Sequence, residues 1–235
     1  MSESVPTSSS ISSDTSDDLY SNVSISDVKR LPSMVDDYKL NKDEETLINI
    51  CYICRKDFVD HEYRKLLIEK DIIKDINKLL SHRSDIVVLS ALNTLGKIIV
   101  KLRTPEIRVL IKCGLLKYLI PLLNYEPHVL KDIGCESASK VHDFLNLEKA
   151  KGNWEVYHKF YRKSYIRIDA WWCISNITCG PSEFTTLMLK IKGFVHMILK
   201  FTRDTSESIA DSCNKIIGNI FTINRPYVNM KIFMA

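Results

Sequence analysis

The sequence predicts an all-α protein, a right-handed superhelix of about four stacked helical repeats behind a disordered N-terminal tail. Three observations support this prediction. Seven glycines and seven prolines in 235 residues are too few for the many tight turns of a β-sandwich or β-barrel. Apolar residues recur at spacings of three and four from Asp43 onward, as in amphipathic helices. Helical segments of similar pattern also recur with a period of about 42 residues.

The tail is predicted from its composition. The first 40 residues are rich in Ser, Asp and Thr and contain few large apolar side chains. Such a segment buries too little surface to offset the conformational entropy that it loses on ordering. We therefore predict a disordered tail over residues 1–40 and a helical repeat domain over residues 41–235.

The repeats are predicted from three similar turns, which fall at Asp71, Gly114 and Gly193. In each case a helix end precedes the turn and an apolar helix follows it. A glycine at such a turn can take the left-handed conformation that closes one helix before the next begins. A helical period of this length is typical of HEAT or armadillo repeats, whose units bury their apolar faces only by stacking.

The repeat domain divides into units at the recurring pattern. The predicted units cover residues 41–82, 83–125 and 126–204, followed by a partial unit over residues 205–235. The third unit contains an insertion at residues 129–165, in which basic and aromatic side chains alternate. That pattern can bind nucleic acid, but interspersed acidic residues favour a helical excursion packed on the solenoid.

One segment resembles a known family. Residues 169–180 read Asp-Ala-Trp-Trp-Cys-Ile-Ser-Asn-Ile-Thr-Cys-Gly. This is similar to the repeat signature of the importin-α family, in which Asn follows Trp by four residues after an acidic residue and Ala. The resemblance covers about residues 43–224, apart from the insertion. It implies an armadillo-type α-solenoid that acts in nuclear import, binding Lys/Arg-rich nuclear localisation signals of cargo proteins in the cytoplasm and nucleus.

The chemistry of the signature depends on the pair Trp172 and Asn176. Residues four apart on a helix lie on the same face. A Trp ring can hold the side chain of Lys or Arg through a cation–π contact, and an Asn amide can bind peptide backbone whatever its sequence. Equivalent positions in the other repeats extend this peptide-binding ladder to Tyr52, Asn93 and Asn219. Spacing alone is equally compatible with a core position for Trp172.

The other repeats depart from the signature at the ladder positions. Lys56, Lys97 and Lys215 stand there, and their charges would repel a basic peptide. The resemblance leaves an importin-β-type receptor open as a second partner. Residues 1–40, however, lack the Arg-rich segment with which the family binds importin-β. The alternative is a general armadillo scaffold that has lost signal binding and holds another partner protein.

Composition argues against other classes of function. The 33 basic residues nearly balance the 29 acidic ones, so the net charge of +4 does not predict nucleic-acid binding. No apolar run is long enough to span a bilayer, so we expect no membrane partner. We find no nucleophile–base pair and no phosphate-binding glycine loop, and predict a monomeric protein that is not an enzyme.

The cysteines predict neither disulfides nor a metal site. Their number is odd, seven, and most lie inside apolar helical stretches, which favours reduced thiols. Cys51 and Cys54 have the spacing of half a zinc site, but no second pair follows. We therefore predict no metal and no other cofactor.

Overall fold

The computed structural model describes residues 25–54, 61–101, 104–125, 150–152, 154–204 and 206–223. Within these ranges the regular elements are all α-helices, which confirms the predicted all-α fold. They are α1 Ile25–Lys29, α2 Leu31–Asn41, α3 Glu44–Cys54, α4 His61–Glu69, α5 Ile73–Leu79, α6 Asp85–Lys101, α7 Thr104–Lys112, α8 Leu115–Leu123, α9 Trp154–Thr178, α10 Ser182–Leu189, α11 Phe194–Phe201 and α12 Glu207–Ile223.

The helices are arranged in three-helix units. Two short helices precede a long one in α4–α6, in α7–α9 and in α10–α12. Three helices per unit are typical of armadillo repeats, whereas HEAT repeats have two. The third helices pack side by side, α3 on α6, α6 on α9 and α9 on α12. This stacking is that of the predicted armadillo-type solenoid.

The unit boundaries of the sequence prediction fall between the second and third helices. Residues 82 and 83 lie between α5 and α6, and residues 204 and 205 lie between α11 and α12. Each predicted unit therefore begins with the long helix, whereas the three-helix units described above end with it. The helices do not decide where a unit should be said to begin, so these limits stay predictions.

The three predicted turns adopt the left-handed backbone conformation. The φ angles are 53° at Asp71, 87° at Gly114 and 80° at Gly193. Gly114 and Gly193 are the N-cap residues of α8 and α11, the second helices of their units. Asp71 lies at the corresponding turn, but one residue earlier, because the N-cap of α5 is Ile72. The predicted left-handed conformation is confirmed at Gly114 and Gly193, and Asp71 adopts it as well.

The N-terminal prediction is wrong for residues 25–40, which form α1 and most of α2. Leu31, Val35 and Tyr38 recur at spacings of four and three, and all three are buried. They give α2 an apolar face, which packs against α3 and α4. The abundance of Ser and Asp concealed this pattern, because composition averages over both faces of a helix. Residues 1–24 lie outside the described residues.

A polar contact fastens α2 to the solenoid. Asp75 of α5 accepts hydrogen bonds from Lys78 at 2.7 Å and from Lys42 at 3.2 Å, and also from Tyr38 of α2. Burial alone would raise the pKa of Asp75, but these three hydrogen bonds outweigh it and lower the pKa to about 2. Burial and the same carboxylate raise the pKa of Tyr38. The first described helices are thus part of the folded body.

The predicted insertion is partly continuous with a third helix. Its residues 154–165 form the beginning of α9, a helix of 25 residues. Residues 126–149 lie outside the described residues, as do the side chains of residues 153–164. The basic and aromatic side chains of the insertion therefore stay a prediction. Within the described ranges, no helix combines the length and apolarity that crossing a membrane requires.

Candidate functional site

The candidate site is the surface of the four third helices, α3, α6, α9 and α12, which we call the inner row. Because each of these helices packs against the next, their outward sides form one continuous surface. In solenoids of this kind such a surface is concave and binds partners. All five predicted ladder residues belong to the inner row: Tyr52, Asn93, Trp172, Asn176 and Asn219.

The two adjacent tryptophans of α9 have different environments. Trp171 is fully buried, and its ring meets the ring of Phe201 edge to face, with the centroids 5.4 Å apart. Its Nε1 has no hydrogen-bond partner in the described part of the chain. Trp172 points to the other side and is 39% exposed. Of the two tryptophans, Trp172 is therefore the one that a ligand could reach.

The ring of Trp172 lies against the backbone of α6. A Cβ atom placed on Gly96 would be 2.6 Å from Cζ3 of Trp172, closer than real contacts of this kind. Only glycine at position 96 leaves room for the ring. Trp172 therefore has two roles, since one part of its ring joins α9 to α6 while another part stays open to solvent.

Asn176 has spare hydrogen-bonding capacity. Its Nδ2 donates to the carbonyl oxygen of Trp172 at 2.9 Å, one turn earlier in α9. Its Oδ1 accepts no hydrogen bond from another described residue. The side chain is half-buried on the same face as Trp172. An amide in this position can accept from, and donate to, the backbone of a bound peptide.

Asn93 is engaged with a neighbouring repeat. Its Nδ2 donates to Oδ2 of Asp169 at 3.1 Å and to the carbonyl oxygen of Leu89 at 3.0 Å. Burial raises the pKa of Asp169 to about 6, and the hydrogen bond from Asn93 offsets only part of that rise. Asn93 thus connects α6 to α9 beside Trp172.

Asn219 is also engaged between repeats. Its Nδ2 donates to Oγ1 of Thr178 at 3.1 Å and lies 3.3 Å from Sγ of Cys179. Both acceptors lie at the end of α9. The structure therefore gives Asn219 a part in joining α12 to α9, and its predicted role in peptide binding stays a prediction.

The remaining ladder positions carry one aromatic and three basic side chains. Tyr52 and Lys97 are half-buried on α3 and α6, and Lys215 is exposed on α12. Lys56 lies outside the described residues. Among the described residues, no cluster of three His, Cys, Asp or Glu side chains could hold a metal ion.

Sequence reasoning missed two residues of this site, Gly96 and Asp169. The sequence identifies Asp169 only as the acidic residue of a signature, whereas its partial burial and its contact with Asn93 set the electrostatics beside Trp172. Gly96 has a detectable signal in the repeat register. It follows ladder position Asn93 by three residues, just as Gly218 follows Lys215 by three.

Comparison with known proteins supports the fold. No family model matches the sequence, and no curated protein matches it. An engineered protein of known crystal structure superposes with a TM-score of 0.57 at 15% identity, covering 87% of this chain. This chain spans 66% of that protein.

Designed armadillo repeat proteins are similar more loosely. One, in complex with the peptide (KR)4, gives a TM-score of 0.43 at 17% identity over 82% of each chain. Another, designed for modular peptide recognition, gives 0.40 at 20% identity over 87% of this chain and 95% of its own. Of these three structures only the engineered protein exceeds a TM-score of 0.5, and at 15% identity it supports the fold alone.

Proposed function

We propose that the protein binds an extended segment of a partner protein along the inner row, with Trp172 as the main anchor. The observation that carries this proposal is that the ring of Trp172 packs against Gly96 of α6 and yet stays partly exposed to solvent. A large aromatic ring that is held in place yet open to solvent loses little entropy on binding, as is typical of interface anchors. Asn176, beside it, supplies hydrogen bonds for the partner's backbone.

A second, narrower function is a nuclear import adaptor that binds Lys/Arg-rich localisation signals. The pair Trp172 and Asn176 supports it through the importin-α resemblance. Asp169 supports it physically, because a half-buried carboxylate with an elevated pKa gains from a nearby cation. Lys97 and Lys215 oppose it, since they place like charges on the same surface. We therefore favour the general scaffold and keep the adaptor as the narrower alternative.

The two functions are separated by a peptide-binding experiment. Fluorescence anisotropy would compare a Lys/Arg-rich peptide with a peptide of equal length whose basic residues are replaced by Gln, at increasing salt. For an adaptor the basic peptide binds more tightly and its affinity falls as salt rises. Equal affinities for both peptides would support the general scaffold and contradict the adaptor.

The anchor is tested with a matched pair of variants. Trp172→Ala should weaken peptide binding at least about tenfold, as expected for loss of an interface anchor. Leu187→Ala is the control, because Leu187 is also 39% exposed but lies on α10, outside the inner row. Equal binding by the wild type and Trp172→Ala would overturn the proposed binding surface.

A further inference from the structure

A cavity of about 260 Å³ lies between α11 and the end of α8. The residues that line it are Asn124, Lys192, Gly193, His196, Met197 and Lys200. Asn124 is the C-cap residue of α8, and the other five belong to α11 or immediately precede it. Among the described residues that line the cavity, none belongs to the inner row. The cavity is therefore separate from the surface to which we assign partner binding.

Three of the lining side chains are basic. Lys192 precedes the N-cap residue of α11, and His196 and Lys200 lie four residues apart on one face of that helix. All three are exposed, and none forms an ion pair with another described residue. Two ammonium groups beside one small cavity repel each other unless an anion lies between them. This arrangement indicates a site for an anion.

The acidic residues nearest in sequence are bonded elsewhere. Residues 184–203 contain no Asp or Glu. Glu183, at one end of this stretch, accepts a hydrogen bond from Arg108 of α7. Asp204, at the other end, accepts one from Arg167 of α9 at 3.2 Å. Neither carboxylate is left to neutralise the basic wall of the cavity.

The cavity combines a packed wall with an open side. Met197 is buried, and Nζ of Lys200 lies 5.1 Å from the ring centroid of the buried Phe201. At Gly193, by contrast, a Cβ atom would meet no heavy atom within 4 Å in the described part of the chain. The described residues thus hold the basic side chains beside free space that a ligand can enter.

We propose that this cavity binds a phosphate monoester. Such a group carries close to two negative charges and three acceptor oxygens at neutral pH, so it can face Lys192, His196 and Lys200 together. A single carboxylate has one charge and would leave one lysine unpaired. The amide of Asn124 adds a donor from the opposite wall. Pockets for drug-sized ligands measure roughly 300–1,000 Å³, so this smaller cavity suits a compact phosphate group.

An NMR titration of the full-length chain tests the proposal. The probe is methyl phosphate, a monoester, added at constant pH and ionic strength. The imidazole resonances of His196, identified by their absence from His196→Gln, should shift with a Kd on the order of 0.1–1 mM. Dimethyl phosphate, a diester with one charge, should bind at least about tenfold more weakly.

Two lysine variants and a matched control locate the binding. Lys192→Gln and Lys200→Gln should each weaken binding of methyl phosphate about tenfold. Lys117→Gln is the control, because it removes the same charge from an exposed position on α8. Lys117 also lies over the ring of the next residue, Tyr118, as Lys200 does over Phe201, but it does not line the cavity. Its variant should bind methyl phosphate as the wild type does.

Vesicles distinguish a soluble phosphate ester from a lipid headgroup. Flotation would compare phosphatidylcholine vesicles that contain phosphatidic acid, a monoester, with vesicles of equal surface charge that contain phosphatidylserine, a diester. If the ligand is a headgroup, the chain binds only the phosphatidic acid vesicles, and Lys192→Gln weakens this binding. If the ligand is soluble, methyl phosphate binds and neither vesicle does. Either outcome supports a monoester site.

Three results would overturn the proposal. The first is no shift of the His196 resonances up to about 10 mM methyl phosphate, since the cavity would then be closed or filled from within the chain. The second is an equal loss of binding in Lys117→Gln and Lys192→Gln. The third is equal binding to both kinds of vesicle, which would indicate attraction to surface charge alone. Lys192→Gln should bind extended peptides as the wild type does, so failure here is distinct from failure of the proposed function.

Discussion

The contact between α6 and α9 differs in chemistry from the contact between α9 and α12, although both join third helices of successive repeats. In the first, the ring of Trp172 lies on Gly96, and the amide of Asn93 donates to the half-buried carboxylate of Asp169. The second uses Asn219, whose amide reaches Thr178 and Cys179 at the end of α9. Repeats that share a backbone pattern therefore need not share the side chains that hold them together.

This difference matters for reading function from the ladder. Asn93 and Asn219 both occupy ladder positions, yet the structure engages both of them between repeats. Trp172 is used between repeats and is also exposed. A side chain that resembles a ligand-binding residue thus has a structural role as well, and the two roles must be separated by experiment.

The largest expected effect concerns Asp169, the half-buried carboxylate of the first contact. Because the pKa of Asp169 rises to about 6 on folding, its ionised form is disfavoured in the native state. The stability that it contributes is fully present below about pH 4 and is lost as pH rises through 6. Asp169→Asn keeps an acceptor for Asn93 and should raise the free energy of unfolding at pH 7 by roughly 2–3 kcal/mol.

Urea denaturation between pH 4 and pH 7 checks this prediction. The variant should show a flatter dependence of stability on pH across that window than the wild type. Asp75 does not interfere, because it is present in both proteins and, with its pKa lowered to about 2, loses most of its contribution below pH 4. Parallel pH profiles for the wild type and Asp169→Asn would show that Asp169 is not desolvated in solution.

The next effect comes from the two glycines, which respond oppositely to the same substitution. Gly96→Ala places a methyl group 2.6 Å from the ring of Trp172, so the ring must move. We expect a loss of about 1–2 kcal/mol, since overpacking exceeds the gain in helix propensity. Gly218→Ala meets no heavy atom within 4 Å in the described part of the chain and should gain about 0.5–1 kcal/mol from propensity alone.

Thermal denaturation of both variants under one condition gives the comparison directly. A shift of tryptophan fluorescence in Gly96→Ala, but not in Gly218→Ala, would show that the ring of Trp172 has moved away from α6. Trp154 and Trp171 contribute the same background in both variants. If both variants gain stability equally, the ring does not rest on Gly96, and the distinction between the two contacts loses its main support.

The sequence predicts those features of the fold that recur in every repeat, and it does not predict features that occur once. The left-handed turns at Gly114 and Gly193 repeat with the units, so their positions were predictable from a single chain. The burial of α2 was not predicted, because Leu31, Val35 and Tyr38 form one short helix face with no counterpart to compare. The ladder positions could be aligned across repeats, but their partners could not. Which atoms Asn93 and Asn219 reach depends on how adjacent helices are offset, and this offset appears only in the packed structure.

The smallest expected effect concerns the second contact. Asn219→Ala removes the hydrogen bond from Asn219 to the buried hydroxyl of Thr178. The loss of this bond should lower the free energy of unfolding by about 0.5–1 kcal/mol. Asn176→Ala is the matched control on α9. Among the described residues the amide of Asn176 bonds only a carbonyl of its own helix, so the stability of this variant should stay within about 0.5 kcal/mol of the wild type. For peptide binding the order should reverse, since Asn176 has the unused oxygen that can accept from a partner's backbone. Urea denaturation and anisotropy on the two variants measure both quantities. If Asn219→Ala and Asn176→Ala lose equal stability and equal peptide affinity, the two asparagines have the same role. The contacts that α9 makes with α6 and with α12 would then differ less than their chemistry indicates.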